Sequence, residues 1–185
     1  MTTNANSRAA VQPLDEFYLR QRRTLPAFTV IEPDQIPEPY RSLLVHERDM
    51  TRTLEQFHGG QIHLRVLSSY REGDAYWRES VLELDGSDQP IEFGAIKIQL
   101  TAIPEPWRAQ IVAARRPFGG ILNASGLRYT SRPSAYLRFV GDDFIAQCFG
   151  VTTVGELYGR QNTLRGEGGE VLAEIVEILP LTAKG

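Results

Sequence analysis

The chain has 185 residues, 42% of them hydrophobic and 23% charged, which suits one domain with a full core. Its formal net charge of -3 provides no global field for nucleic acid or an anionic membrane, so an anionic ligand needs a local basic site. A single cysteine, Cys148, excludes an internal disulfide framework and a cysteine-rich zinc site. The polar start MTTNANSRAAVQP has no apolar signal-peptide core, and no apolar run approaches the ~20 residues of a membrane span. The expectation is a soluble, cytoplasmic protein.

In chain order, residues 1–13 read as a mobile tail, and Leu14 to Arg22 as a short helix with Leu14, Phe17 and Tyr18 on one side. Pro26, Pro33, Pro37 and Pro39 then break up regular structure. A helical stretch from Tyr40 turns Leu43, Leu44 and His46 inward. Asp49 is placed to cap a second helix, Met50 to His58, which Gly59-Gly60 stops. These two helices have a helix-turn-helix shape, but HERDMTRTLEQ mixes acids and bases in equal measure and has no basic recognition face.

Strands follow over Gln61–Tyr70, Tyr76–Leu84 and Ile91–Leu100, joined by polar turns at 71–74 and 85–88. A helix from Pro104 or Pro106 to Arg115 packs Trp107, Ile111 and Val112. The tight segment Arg116–Gly120 leads to a short helix around Ile121-Leu122. Leu127 to Val140 is extended in part, and Asp142 and Asp143 cap a short helix through Cys148. The chain closes with Tyr158–Leu164, a glycine turn, and a strand over Glu170–Leu179. Hairpins dominate and no strand–helix–strand alternation occurs, which favours an antiparallel sheet.

Arg78 is the odd residue of its strand. Counting by two, it shares a face with Tyr76, Ser80, Leu82 and Leu84, a face that points inward. A guanidinium there needs an acidic partner. Two readings stay open: a structural ion pair, or a ligand carboxylate held bidentately. The last strand repeats the anomaly, with Glu177 among Val171, Ala173, Ile175 and Leu179, and Glu174 among Leu172, Val176 and Ile178. A partly buried glutamate suits proton transfer near neutral pH, and spacing does not choose between the two. Pro117-Phe118-Gly119-Gly120 offers backbone N–H groups at a helix start, and Arg160 is a further candidate contact. His46, His58 and His63 form no ligand-like pattern, and Cys148, among Phe144, Ile145 and Phe149, reads as a buried structural thiol. No phosphate-loop, dinucleotide, GxSxG or HExxH motif occurs.

Taken in order, these segments resemble the chorismate pyruvate-lyase family. LLVHERDMTRTLEQF is similar to the family's first flap, YWRESVLELDG to its arginine-bearing strand, and RPFGGIL to a Pro-Leu-Gly segment with Phe118 in place of leucine. YGRQNTL, a Gly-Gly turn and VLAEIVEILP are similar to its closing hairpin. The likeness runs over about residues 40–180. It implies an α+β fold with a single six-stranded, mainly antiparallel sheet, helices on one side, and two helical flaps over a buried ligand. Residues 27–185 form that domain, behind a flexible N-terminal segment, 1–26.

The resemblance further implies that Arg78 and the backbone amides of Met50 and Phe118 hold a ring carboxylate, with Gly119 beside them and Glu177 as the catalytic acid. The acidic ending is one residue shorter here than in the family, so Glu174 stays a rival. The implied activity is elimination of pyruvate from chorismate to give 4-hydroxybenzoate, a carbon–oxygen lyase reaction with no metal or organic cofactor. The alternative is a non-catalytic sensor or binding protein for a small aromatic acid, since the fold resembles effector domains of transcription regulators. The partners expected are the small acids alone, with no nucleic acid and no membrane, on a monomer or small homo-oligomer.

Overall fold

The computed structural model describes residues 8–180. Helix α1 covers Leu14–Arg20, strand β1 Phe28–Ile31, α2 Tyr40–Leu44 and α3 Met50–His58. Strands β2 (Ile62–Glu72), β3 (Ala75–Leu84) and β4 (Pro90–Gln99) follow, then α4 (Trp107–Ala113), α5 (Phe118–Ser125), β5 (Tyr129–Val140), α6 (Asp143–Cys148), β6 (Glu156–Gly166) and β7 (Val171–Leu179). Among these residues no helix is long and apolar enough to cross a membrane.

The strands form one antiparallel sheet in the order β1-β5-β6-β7-β4-β3-β2. It has seven strands, not the expected six. The extra strand is β1, four residues that pair with Tyr136–Phe139 of β5. The prolines around it obscure it in the sequence, yet an edge strand tolerates flanking prolines because its outer side needs no partner.

Helices cover both faces, not one. On the first face, Leu14, Phe17 and Tyr18 of α1 and Ile145 and Cys148 of α6 pack on Trp77, Val81, Phe93, Ala95, Leu137, Phe139, Val176 and Ile178. On the second, α2 and α3 pack against Leu82, Ile91 and Leu179, while α4 and α5 pack against Tyr76, Ile96, Ile98 and Leu164. The physical reason lies in the central strands. β3, β4 and β7 carry apolar residues at both odd and even positions, so one layer of helices would leave half of that surface in water.

The segment expected to be flexible, 1–26, belongs to this first layer from Arg8 onward. Val11, Leu14, Phe17 and Tyr18 are at most 1% exposed. Arg23 reaches Glu79 of β3 at 2.9 Å, and Gln21 adds a hydrogen bond of 3.1 Å to the same carboxylate. Glu79 is fully buried, so without this segment it would lose the cation that offsets its desolvation. Residues 1–7 lie outside the described residues. Phe17→Ala is expected to lower stability by about 3–5 kcal/mol, read from urea unfolding. A loss under about 0.5 kcal/mol, the size of an ordinary surface substitution, would contradict this packing.

Local signals were legible. Asp49 caps α3, its side chain accepting from the Arg52 N–H at 3.1 Å, and Gly59 ends the helix with φ of 68°. Asp142 caps α6 in the same way, through the Ile145 N–H at 2.8 Å.

Candidate functional site

The second face of the sheet holds a cavity. Its floor is built by register. Arg78 stands level with Ile96, Ser80 with Gly94, and Leu82 with Glu92, while Gly94 is level with Glu177, and Glu177 with Arg160. All of these floor residues except Arg160 line the cavity. Gly94 leaves the middle open, and a Cβ there would collide with the Val176 carbonyl at 2.5 Å. Tyr129, Ser131, Asn162, Leu164 and Ile175 extend the wall across β5, β6 and β7.

The other side of the cavity is lined by the starts of two helices. Arg48, Asp49, Met50 and Thr51 come from the N-terminus of α3, and Pro117, Phe118 and Gly119 from that of α5. The two ends are tied together, since Asn123 of α5 donates to the Asp49 carboxylate at 3.0 Å and accepts from the Tyr129 hydroxyl at 3.3 Å. Gly119 permits the approach: a Cβ there would run into the Asp49 carboxylate. Pro117 supplies no side-chain cap to α5, so the first backbone amides of that helix, beside the cavity, have no capping acceptor.

Arg78 is 3% exposed, and its Nε and Nη1 are buried without a hydrogen-bond partner. Burial pushes its pKa down to about 10, and the Tyr76 phenol beside it offsets this only in part. The group stays charged at neutral pH, a cation with donors to spare at the wall of a cavity.

Arg160 and Glu177 form a buried ion pair through Nε and Oε2. Arg160 Nη1 also donates to the carbonyls of Leu44 and His46, both at 3.0 Å. Burial, with the Arg160 charge next, pushes the His46 pKa down to about 4. A neutral His46 then donates from Nε2 to the Leu43 carbonyl at 2.7 Å and accepts at Nδ1 from the Arg48 N–H at 3.1 Å. Arg160, which the sequence offered as a ligand contact, is not among the residues that line the cavity, although its Nη2 is buried without a partner. It stands behind Glu177 and orients that carboxylate. Glu174 does not share the site: it pairs with Lys97 at 3.6 Å, and Lys97 lies over Trp77 on the first face. Arg78, Glu177, Met50, Phe118 and Gly119 do meet at one cavity.

One acid was missed. Glu92 lines the cavity, is 8% exposed, and leaves Oε2 buried without a partner. Burial raises its pKa well above the carboxylate range, and Glu177 raises it further, against a lowering by Arg160. The signal was available: counting by two along β4, Glu92 falls on the face of Ile96 and Ile98, the same anomaly that marks Arg78 and Glu177.

No protein-family model matches the chain, and no curated protein matches it in sequence. Solved structures do match. The effector domain of PhnF from Mycobacterium smegmatis aligns with TM-score 0.54 and 10% identity, over 71% of this chain and 88% of that one. PhnF of the same organism aligns with TM-score 0.54 and 9% identity, over 76% and 71%. A GntR-family transcriptional regulator from Enterococcus faecalis V583 aligns with TM-score 0.44 and 11% identity, over 66% and 99%. The likeness is one of fold alone.

Proposed function

We propose that the cavity binds a small carboxylic acid with its carboxylate on Arg78, and that the chain acts as a binding or sensor domain for that acid. One observation carries the reading. Arg78 leaves Nε and Nη1 buried and partnerless at a cavity wall, charged donors from which a ligand carboxylate can accept. The uncapped amides at the start of α5 add donors for the same anion. The starts of α3 and α5 act as flaps over the ligand. The fold-level likeness to an effector domain supports a binding role without turnover.

A second reading, the chorismate lyase, is favoured by a separate observation: a carboxylate, Glu177, and a second carboxyl, Glu92, share the cavity with Arg78. In that reaction the C3–O bond to the enolpyruvyl group breaks and the C4 proton leaves, which aromatises the ring. Bound enolpyruvate takes up a proton to become pyruvate. The chain has then to orient the ring acid, exclude water and accept the C4 proton at Glu177.

One experiment separates the two. Purified protein is titrated calorimetrically with 4-hydroxybenzoate and incubated with chorismate, with 4-hydroxybenzoate and pyruvate followed over time. Binding without turnover is the expected result. Turnover above the uncatalysed rate replaces the sensor by the lyase, and neither binding nor turnover by folded protein removes both readings.

A further inference from the structure

Neither reading above assigns Glu92 a contact with the ligand or a chemical step, and its surroundings suggest one. It is four residues along β4 from Ile96, the residue level with Arg78. Four strand residues span roughly 13 Å, so Arg78 and Glu92 mark the two ends of the cavity floor, with side-chain-free Gly94 between them. The charged groups that act on Glu92 are Glu177 from β7, Arg160 from β6 and Asp49 ahead of α3. Arg160 is the cation among them, and its Nε is committed to Glu177. With one cation between two buried carboxyls, the second is held neutral, and a neutral carboxyl has an O–H to donate. Its Oε2 finds nothing to bond within the protein.

We propose that Glu92 is a specificity-determining residue whose carboxyl donates a hydrogen bond to an oxygen that the ligand carries at the end opposite its Arg78-bound carboxylate. The inference rests on the reading of Arg78 as the carboxylate anchor. The ligand class it names is a ring acid with a hydroxyl, ether or keto oxygen across the ring from the carboxylate. A ring acid lacking that oxygen leaves a buried donor unpaired and is rejected for that reason.

The test titrates wild type, Glu92→Gln and Glu92→Leu with benzoate and with 4-hydroxybenzoate, which differ by one ring hydroxyl. Wild type is expected to prefer 4-hydroxybenzoate by about tenfold, the value of one buried hydrogen bond. Glu92→Gln keeps a donor and holds that preference to within about threefold. Glu92→Leu keeps the volume without the donor, beside apolar Leu82 and Ile91, and is expected to lose the preference, with benzoate binding rising as the unpaired donor is removed. Glu92→Ala serves the same purpose if the leucine variant does not fold. A preference that survives in the donor-free variant overturns the proposal, as does a wild type with no preference. Failure of wild type to bind either acid overturns the anchor reading beneath it, which is a different result.

Discussion

Arg78→Met is expected to weaken binding of 4-hydroxybenzoate by about 30- to 1000-fold, because truncating one partner of a buried charge-assisted pair costs roughly 2–4 kcal/mol. The same substitution is expected to raise the stability of the ligand-free protein by about 1–3 kcal/mol. A guanidinium that is 3% exposed, with Nε and Nη1 unpartnered, is a desolvated charge that folding must carry without compensation. A thioether chain of similar length removes that burden. The two signs together are diagnostic, since a structural arginine loses stability when removed and a ligand anchor does not. Calorimetry with 4-hydroxybenzoate and urea unfolding of the free protein read the two effects separately. A variant that binds normally but unfolds several kcal/mol earlier would return Arg78 to a structural role.

Arg160→Met is expected to lower stability by about 3–5 kcal/mol at pH 8, the usual effect of removing one member of a buried pair. It leaves Glu177 and Glu92 in one cavity without their cation, and frees the Leu44 and His46 carbonyls from their shared donor. The loss should depend on pH in a definite direction. Arg160 lowers the raised pKa of buried Glu92, so its removal lifts that folded-state pKa further above the unfolded value of roughly 4.3. Stability is then fully present below the unfolded pKa and falls as pH rises toward the folded one. Urea unfolding at pH 4.5 should therefore show a smaller deficit than at pH 8, by about 1.4 kcal/mol for each unit of the shift within that window. Equal deficits at both pH values would mean that Arg160 matters through its carbonyl contacts alone. Ligand affinity should fall as well, because Arg160 holds the Glu177 carboxylate in the cavity wall.

A neutral Glu92, as proposed above, ties these results together. Arg160 is paired with Glu177, and Arg78, buried in the cavity wall with Nε and Nη1 unpartnered, is left to meet the negative charge of a ligand. An uncharged ring compound would leave Arg78 as it stands in the free protein, with its two donors unspent.

Much of the fold and part of the site were legible in the sequence, for reasons that are local. Asp49, Gly59 and Asp142 bound their helices through bonds spanning three or four residues, and the alternation of β3 placed Arg78 on an inward face before any contact was known. A period of two is a property of the strand alone. What the sequence could not decide was which residues stand next to one another across strands. Glu177 and Glu174 look alike along β7, and only the pairing of β7 with β4 and β6 sends Glu177 to Arg160 and the cavity, and Glu174 to Lys97 on the other face. Arg160 looked like a ligand contact until the third dimension placed Glu177 against it. The N-terminal segment looked like a tail because the sheet face it covers is assembled from strands as far away as β7. By itself, then, the sequence determined the elements other than β1, the antiparallel class and the misplaced charge at Arg78, since short-range hydrogen bonding and periodicity decide those. Strand order, the two-sided helical cover, and the division of labour among Arg78, Glu92, Arg160 and Glu177 follow from tertiary register, because a buried charge is answered by its neighbours in space.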